Sequence, residues 1–186
     1  GGAGFIGSHT CVELLAKGFN VVIVDDLSNS SEVAVERVRK IAGVGADRCA
    51  FHEANVLDRD AMEAIFSEHD IDAIIHFAGF KAVGESVQKP LEYYWNNIAG
   101  TLVLCDVARN HGVKNIVFSS SATVYGEPEF VPITEDCPKH SATNPYGQTK
   151  TMLEQVLTDL YVGDNEWNVV LLRYFNPIGA HESGLI

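Results

Sequence analysis

The sequence lacks an uninterrupted apolar run of the roughly 20 residues that a membrane-spanning helix needs. It is also poor in basic residues, with 13 Lys and Arg against 25 Asp and Glu and a formal net charge of −12. An acidic surface repels phosphate backbones and anionic lipid, so this balance argues against nucleic-acid and membrane partners. A small anionic substrate is still compatible with it, because a local site can oppose the global charge.

Cysteine is scarce as well, and no two cysteines form a C-x-x-C pair. The four are Cys11, Cys49, Cys105 and Cys137. Their spacing does not match a zinc site, so we expect reduced thiols, no metal site and a cytoplasmic protein. These 186 residues also show no internal repeat.

The chain has neither an initiator Met nor a natural stop, since it opens inside a glycine-rich turn and closes at Ile186. Its 186 residues suffice for one domain. We expect a piece of a longer protein whose first, central strand precedes Gly1. Without that strand, the strands at Val21 and Ala73 would expose unpaired backbone N–H and C=O groups. We therefore expect the isolated piece to be neither stably folded nor active.

Apolar strand-like runs alternate with helical patterns along the chain. Strands are predicted at 21–24, 49–55, 73–77, 115–118 and 169–172, and helices at 6–17, 32–42, 60–69, 91–110 and 145–161. Gly18, Gly43 and Gly112 are placed to end helices. The alternation predicts an α/β fold with a doubly wound parallel sheet of Rossmann type.

The opening glycines suit a dinucleotide pyrophosphate. Gly1, Gly4 and Gly7 have G-x-x-G-x-x-G spacing and lead into a helix, whose N-terminus attracts phosphate. Such a pattern alone is weak, but Asp25 ends the next strand and can accept both hydroxyls of a ribose. Its charge would repel a 2′-phosphate, and no Arg or Lys follows before Ser31, so NAD is favoured over NADP.

A second constellation suits hydroxyl chemistry. Tyr146 and Lys150 are spaced i, i+4 on a predicted helix that Asn144 can cap. The cluster Ser119–Ser121 with Thr123 follows a strand, where an open α/β sheet binds ligands. A nearby Lys⁺ and a positive nicotinamide ring would favour the phenolate form of Tyr146. The phenolate could then accept the proton of a sugar hydroxyl, while Ser121 forms a hydrogen bond to the same oxygen.

Longer stretches carry a family resemblance: GGAGFIGSHT at the start, HFAGFKAVGESVQKPLEYY from His76, SSSATVYG from Ser119, NPYGQTK from Asn144 and LLRYFNPIGAHESG from Leu171. The sequence resembles the extended short-chain dehydrogenase/reductases and, within them, the UDP-galactose 4-epimerases. The resemblance implies interconversion of UDP-glucose and UDP-galactose by transient NAD-dependent oxidation at sugar C4. It also implies an NAD-binding domain over residues 1–186 with a substrate domain after it, and a homodimer in the full-length protein.

The resemblance also assigns roles. Ser121, Tyr146 and Lys150 would be catalytic. The cofactor would contact these three groups of residues: Gly1, Gly4, Phe5, Ile6 and Gly7; Asp25, Asp26, Asn55 and Val56; Phe77, Ala78, Gly79, Lys81, Asn96, Ser119, Tyr146, Lys150 and Tyr174. The substrate would contact Lys81, Ser121, Thr123, Tyr146, Phe175 and Asn176. Three positions depart from the family pattern, namely Asp26, Asn55 and Phe80, and none removes a chemical group that the reaction needs.

Three alternatives stay open. A dehydratase or decarboxylase of the same fold would carry an acid before the V-Y-G of the serine strand, where Ala122 and Thr123 stand here. A non-catalytic dinucleotide-binding protein would usually lack the Tyr or the Lys. The sequence does not distinguish a UDP-glucose epimerase from epimerases of UDP-pentoses or UDP-N-acetylhexosamines.

We expect His9 and His76 to be packed rather than metal ligands, and Tyr93, Tyr94 and Trp95 to serve packing or an interface.

Overall fold

A computed structural model describes residues 1–140 and 142–186. The chain divides into two compact units. The first comprises Gly1–Asp70 together with Pro177–Ile186, and the second comprises Ile71–Asn176. Each unit has its own parallel sheet.

The first unit contains two parallel strands and three helices. In chain order these are α1 (Phe5–Ala16), β1 (Val21–Asp25), α2 (Glu32–Ala42), β2 (Cys49–Glu53) and α3 (Arg59–Glu68). In the register, Val21 lies opposite Cys49 and Asp25 opposite Glu53. The core of this unit is formed by Ala3, Cys11, Val12, Leu15, Ile23, Val35, Val38 and Cys49.

Local signals in the sequence explain where these helices begin and end. The Ser31 side chain accepts a hydrogen bond from the backbone N–H of Val33 at the start of α2. Asp58 does the same for Ala61 at the start of α3. Gly43 ends α2 in the left-handed conformation, at φ 67°, which only glycine adopts without strain. The predicted bounds of α2 are therefore confirmed.

The second unit contains a three-stranded parallel sheet in the order β3-β4-β5. Its elements are β3 (Ile74–His76), α4 (Val83–Gln88), α5 (Pro90–Tyr94), a π-helical turn (Trp95–Ala99), α6 (Gly100–Asn110), β4 (Asn115–Ser121), a 3₁₀ helix (Ala122–Tyr125), α7 (Pro145–Gly163) and β5 (Asn168–Tyr174). Asn144 caps α7 as expected, accepting from the Gly147 N–H at 2.8 Å.

Two features of the second unit differ from the sequence prediction. The helix predicted over 91–110 is three segments, because the turn Trp95–Ala99 is π-helical, and a separate helix α4 precedes it. The strand predicted to end at Phe118 continues to Ser121, because the serines pair in register with Leu172, Arg173 and Tyr174 of β5. The three serines were not predicted as strand because polar residues are not typical of a buried strand, although they form backbone pairs with β5.

The predicted fold class is confirmed, since every strand pair is parallel and helices connect the strands. The pair β1–β2 and the order β3-β4-β5 match the neighbours 2–3 and 4–5–6 of the Rossmann strand order. All four cysteines are buried free thiols. Within residues 1–140 and 142–186, the helices include none with the length and apolar character needed to cross a membrane.

Candidate active site

The glycine turn of the first unit is packed too tightly for side chains. A Cβ on Gly7 would lie 2.4 Å from the Gly1 carbonyl oxygen and 2.8 Å from the Gly2 Cα. Gly4 is the N-cap of α1, with Phe5 and Ile6 as the first residues of the helix. The backbone of the turn therefore stays bare at a helix N-terminus, which is the cradle that a pyrophosphate requires.

Asp25 closes β1 beside this turn and is buried. Its Oδ2 accepts from the Ala3 N–H at 2.9 Å, and its Oδ1 accepts from the Leu27 N–H at 3.1 Å and from Ser30 Oγ at 2.7 Å. Burial acts to raise the pKa of Asp25, whereas the hydrogen bonds from Ser30, Ala3 and Leu27 act to lower it. A carboxylate has about four acceptor positions, so Oδ2 can accept a further hydroxyl.

The neighbouring residues Asp26 and Asn55 are joined to each other. Asn55 Nδ2 donates to Asp26 Oδ2 at 2.7 Å, while Asn55 Oδ1 accepts from the Leu57 N–H at 2.9 Å. Val56 lies inside this turn, partly buried. The structure therefore brings Asp25, Asp26 and Asn55 to the carboxyl ends of β1 and β2, although the asparagine that departs from the family pattern already uses its amide group locally.

The predicted trio of the second unit converges at the end of β4. Lys150 is 5 % exposed, and its Nζ donates to the Ser119 carbonyl at 2.7 Å. The same Nζ lies 4.7 Å from the centre of the Phe118 ring and 6.0 Å from that of Tyr146. Burial lowers the pKa of Lys150 to about 8, so the amine is still mostly a cation at neutral pH.

The hydrogen bonds of Ser121 orient its hydroxyl. Ser121 Oγ accepts from the Thr123 backbone N–H at 3.2 Å and from Thr123 Oγ1 at 3.0 Å. A hydroxyl has two acceptor positions and one proton, so these bonds leave the Ser121 proton to donate. Thr123 itself lies in the 3₁₀ helix that follows β4. Thr123 thus positions Ser121 as a hydrogen-bond donor.

Among the groups of the chain, burial governs the pKa of Tyr146. Burial raises the pKa of the phenol above its usual value, although hydrogen bonding with Ser121 works against this rise. The Lys150 amine is directed to the Ser119 carbonyl rather than to the phenol. The chain's own lysine therefore does not outweigh the burial of Tyr146, and a phenolate would need further positive charge.

The remaining predicted residues lie at the carboxyl ends of β3 and β5. Tyr174 is the last residue of β5, opposite Ser121 in the register, and burial raises its pKa. Phe175 and Asn176 follow it and are exposed. After β3 come four predicted cofactor residues, of which the first three are partly buried and the last is exposed: Phe77, Ala78, Gly79 and Lys81.

Asn97, which the sequence did not single out, holds the loop after β3. Its Oδ1 accepts from the Phe80 N–H at 2.8 Å, and its Nδ2 donates to the Phe80 carbonyl at 3.0 Å and to Thr149 Oγ1 at 3.1 Å. A Cβ on Gly79 would lie 3.2 Å from Asn97 Oδ1. The predicted cofactor residue Asn96 donates to the same oxygen. The π-helical turn thus links the loop that carries Lys81 to helix α7.

A buried ion network behind the trio was also missed. Glu154 is 0 % exposed and accepts from Arg173 Nε and Nη2, both at 2.9 Å, and from Ser120 Oγ at 2.6 Å. Arg173 Nη1 donates to the Tyr125 hydroxyl at 2.9 Å. Glu154 follows Tyr146 and Lys150 at a further i+4 step, and this spacing was the available signal. The network joins α7 to β4, β5 and the 3₁₀ helix.

The expected packing of His76 is confirmed. His76 is buried, its Nε2 lies 2.9 Å from Thr101 Oγ1, and burial lowers its pKa to about 3. His9 stacks edge-on against Phe5, and its Nδ1 lies 2.8 Å from the Phe5 carbonyl. Tyr93 is buried, and its hydroxyl accepts from the Ala82 N–H and donates to Glu85. Trp95, in contrast, is 69 % exposed.

Comparisons with known proteins agree with this geometry. The model of the NAD dependent epimerase/dehydratase family matches residues 1–185. Over all 186 residues the chain is 62% identical to a UDP-glucose 4-epimerase of Bacillus subtilis and 57% identical to UDP-glucose 4-epimerase 2 of Arabidopsis thaliana, of which it covers 54% and 53%. The chain spans about half the length of the curated relatives it matches.

Solved structures show the same likeness. A UDP-glucose 4-epimerase from Bifidobacterium longum in complex with NAD⁺ and UDP matches the whole chain with a TM-score of 0.97 at 56% identity, over 54% of that protein. An epimerase from Stenotrophomonas maltophila with bound NAD and formylated UDP-arabinopyranose matches with a TM-score of 0.94 at 48% identity, also over 54% of its length.

Proposed function

The chain belongs to the NAD dependent epimerase/dehydratase family, and on that basis we propose that residues 1–186 carry the NAD-binding and catalytic part of a UDP-glucose 4-epimerase. The observation that carries the proposal is the cluster of Ser121, Tyr146 and Lys150 at the end of β4. The names of the similar proteins support the substrates UDP-glucose and UDP-galactose.

The residues of the first unit fit a dinucleotide. The glycine turn is tight enough to exclude a side chain at Gly7 and leads into the N-terminus of α1, where a pyrophosphate can bind, and Asp25 Oδ2 has an acceptor position for a ribose hydroxyl. The charge of Asp25 would repel a 2′-phosphate, which supports NAD over NADP. Asp26, Asn55 and Val56 are proposed to flank the adenosine.

The second unit supplies the groups for proton transfer. Tyr146 is proposed as the base that removes the proton of the sugar C4 hydroxyl and later returns it, while the donor proton of Ser121 holds the same oxygen. Bound NAD⁺ supplies hydride uptake from C4 and its return to the opposite face. Lys150 contributes positive charge near Tyr146, and the positive nicotinamide ring of bound NAD⁺ would add to it and favour the phenolate.

The remaining assignments follow the same proposal. The cofactor is proposed to contact Phe77, Ala78, Gly79 and Lys81 after β3, together with Ser119 and Tyr174, because these residues lie at the carboxyl ends of parallel strands. Asn96 is proposed as a further contact, from the π-helical turn that is hydrogen-bonded to the loop after β3. The substrate is proposed to contact Lys81, Thr123, Phe175 and Asn176. Ala122 and Thr123 provide no carboxylic acid next to Ser121, so an epimerase is favoured over a dehydratase.

We expect the purified full-length protein to interconvert UDP-glucose and UDP-galactose without added cofactor, because the dinucleotide is regenerated in each turnover. The measurement is chromatographic analysis of the sugar nucleotides, followed by identification of the dinucleotide released on denaturation. NAD with both UDP-hexoses present supports the proposal. Release of NADP would contradict the role of Asp25, and consumption of UDP-glucose to a deoxy-keto sugar would favour the dehydratase.

A homodimer is proposed through an apolar helix face of the second unit. The face comprises Leu91, Tyr94, Trp95, Ile98, Ala99, Leu102 and Met152, and Glu92 also lines it. Leu91 is 79 % exposed, and Trp95 lies beside it in the π-helical turn. Leu102 and Met152 of this face are exposed as well, and a two-fold axis would let the same apolar face cover itself.

Trp95→Glu in the full-length protein is therefore expected to yield monomers, because the carboxylate would be buried without a partner in the dimer. Light scattering after size exclusion gives the mass. Val162→Glu is the matched control, since Val162 is equally exposed near the end of α7 but lies outside the face. A Trp95→Glu protein with the mass of the wild type would refute this interface.

A further inference from the structure

Two histidines and a glutamate converge in the first unit, apart from the residues assigned above. His52 lies near the carboxyl end of β2, Glu68 is the last residue of α3, and His69 is its C-cap. The Nε2 atoms of the two imidazoles are 2.8 Å apart, and their rings meet edge to face with 5.0 Å between centres. One ligand atom from each residue lies within 4.8 Å of the other two.

The fold explains this meeting. Side chains alternate along a strand, so His52 points away from Phe51, which packs on the core formed with α1 and α2. His69 follows the buried Ile65 by four residues and is held by a backbone hydrogen bond to it at 3.1 Å. The two histidines are therefore fixed by elements that are packed independently of them. Their separation of 17 residues, without a motif, is why the sequence did not indicate the pair.

The chemistry of the pair suits a metal ion. Two Nε2 atoms at hydrogen-bond distance can share only one proton, so one ring must present its lone pair to the other. Glu68 Oε1 lies 4.0 Å from His69 Nε2 on a side chain that is 65 % exposed and therefore able to rotate. Imidazole nitrogen with one carboxylate is a donor set that Zn²⁺, Ni²⁺ and Cu²⁺ prefer over Mg²⁺ or Ca²⁺.

We propose that His52, His69 and Glu68 form a binding site for a divalent transition metal ion of the Zn²⁺ class, with water as the fourth ligand. Zn–N bonds of about 2.0–2.1 Å in a tetrahedral site place two nitrogens roughly 3.3 Å apart. The imidazoles must therefore separate by about 0.5 Å, which small side-chain rotations allow. The ion would link the carboxyl end of β2 to the C-terminal end of α3 and does not take part in the epimerase chemistry.

The test uses the full-length protein, stripped with EDTA and free of any histidine tag. Calorimetric titration with ZnCl₂ is expected to show one ion per chain, and the melting temperature should rise with Zn²⁺ because the ion binds the folded state. His52→Ala is expected to weaken binding by at least about 10–100-fold, since loss of a ligand costs no less than loss of a second-shell partner. Glu68→Gln, at an exposed position, should weaken it without affecting folding.

The matched control is His140→Ala. His140 also lies beside a carboxylate, with its Nε2 3.3 Å from Glu129 Oε1, but the three-residue cluster does not include it. This variant should bind Zn²⁺ as the wild type does. Unchanged affinity in both His52→Ala and Glu68→Gln, or equal binding of Mg²⁺, would overturn the proposal. Tetrahedral absorption bands with Co²⁺ that disappear in Glu68→Gln would support it even if His52→Ala were unstable. A catalytically inactive protein that binds Zn²⁺ supports it equally, so its outcome is separate from that of the proposed reaction.

Discussion

Tyr146→Phe in the full-length protein is expected to lower kcat by about 10²–10⁴-fold, the range of general acid–base catalysis. The substitution removes the hydroxyl that exchanges a proton with the sugar and leaves the ring in place. The dinucleotide should stay bound, because the proposed pyrophosphate and ribose contacts lie in the first unit, at Gly7 and Asp25. Initial rates at saturating UDP-galactose, with the NAD content per chain, measure both effects.

Tyr161→Phe is the matched control for this prediction. Tyr161 lies on the same helix α7 and is 52 % exposed. Its variant should keep wild-type kcat and NAD content. Activity of Tyr146→Phe within a few-fold of the control would show that Tyr146 is not the base. Loss of bound NAD together with activity would instead assign Tyr146 to cofactor binding.

Glu154→Leu is expected to reduce the free energy of unfolding by about 3–5 kcal/mol, because it leaves the Arg173 guanidinium without its buried partner. The arginine side chain is 21 % exposed, so partial hydration places the loss toward the lower end of that range. Denaturant unfolding of the full-length protein gives the value. The double variant Glu154→Leu with Arg173→Met should recover most of the loss, since it removes both charges together.

Glu166→Gln provides the contrast at the surface. Glu166 is 74 % exposed and contacts Lys114 at 2.6 Å, and such pairs contribute about 0–1 kcal/mol. A Glu154→Leu protein no less stable than Glu166→Gln would contradict the buried-pair argument.

The contribution of Glu154 should also depend on pH. Burial would raise its pKa, but Arg173, Ser120 and Lys139 outweigh burial and lower it. The stabilisation should therefore be complete above the unfolded pKa, near 4.3, and be lost as the pH falls below it.

The sequence by itself determined the order and type of most elements and indicated the residues of the proposed site. Helix α2 has the bounds that the sequence predicted, because its ends at Ser31 and Gly43 are set by local interactions that need no tertiary partner. The glycine turn could also be predicted from the sequence, because its close backbone packing requires residues without a side chain, and glycines are identified directly from the sequence. The proximity of Ser121, Tyr146 and Lys150 could be predicted because Tyr146 and Lys150 share a helix face and the serines end a strand.

Tertiary structure decided what depends on contacts between distant residues. The bonds of Asn97 to the loop after β3 and the meeting of His52 with His69 each join segments at least 17 residues apart. The burial of Tyr146 raises its pKa, and this effect was not visible in the sequence, because charges of neighbouring residues can be read from sequence but burial cannot. Burial, hydrogen-bond partners and ion pairs arise only once the chain has packed, whereas caps, turns and periodic faces are properties of short segments.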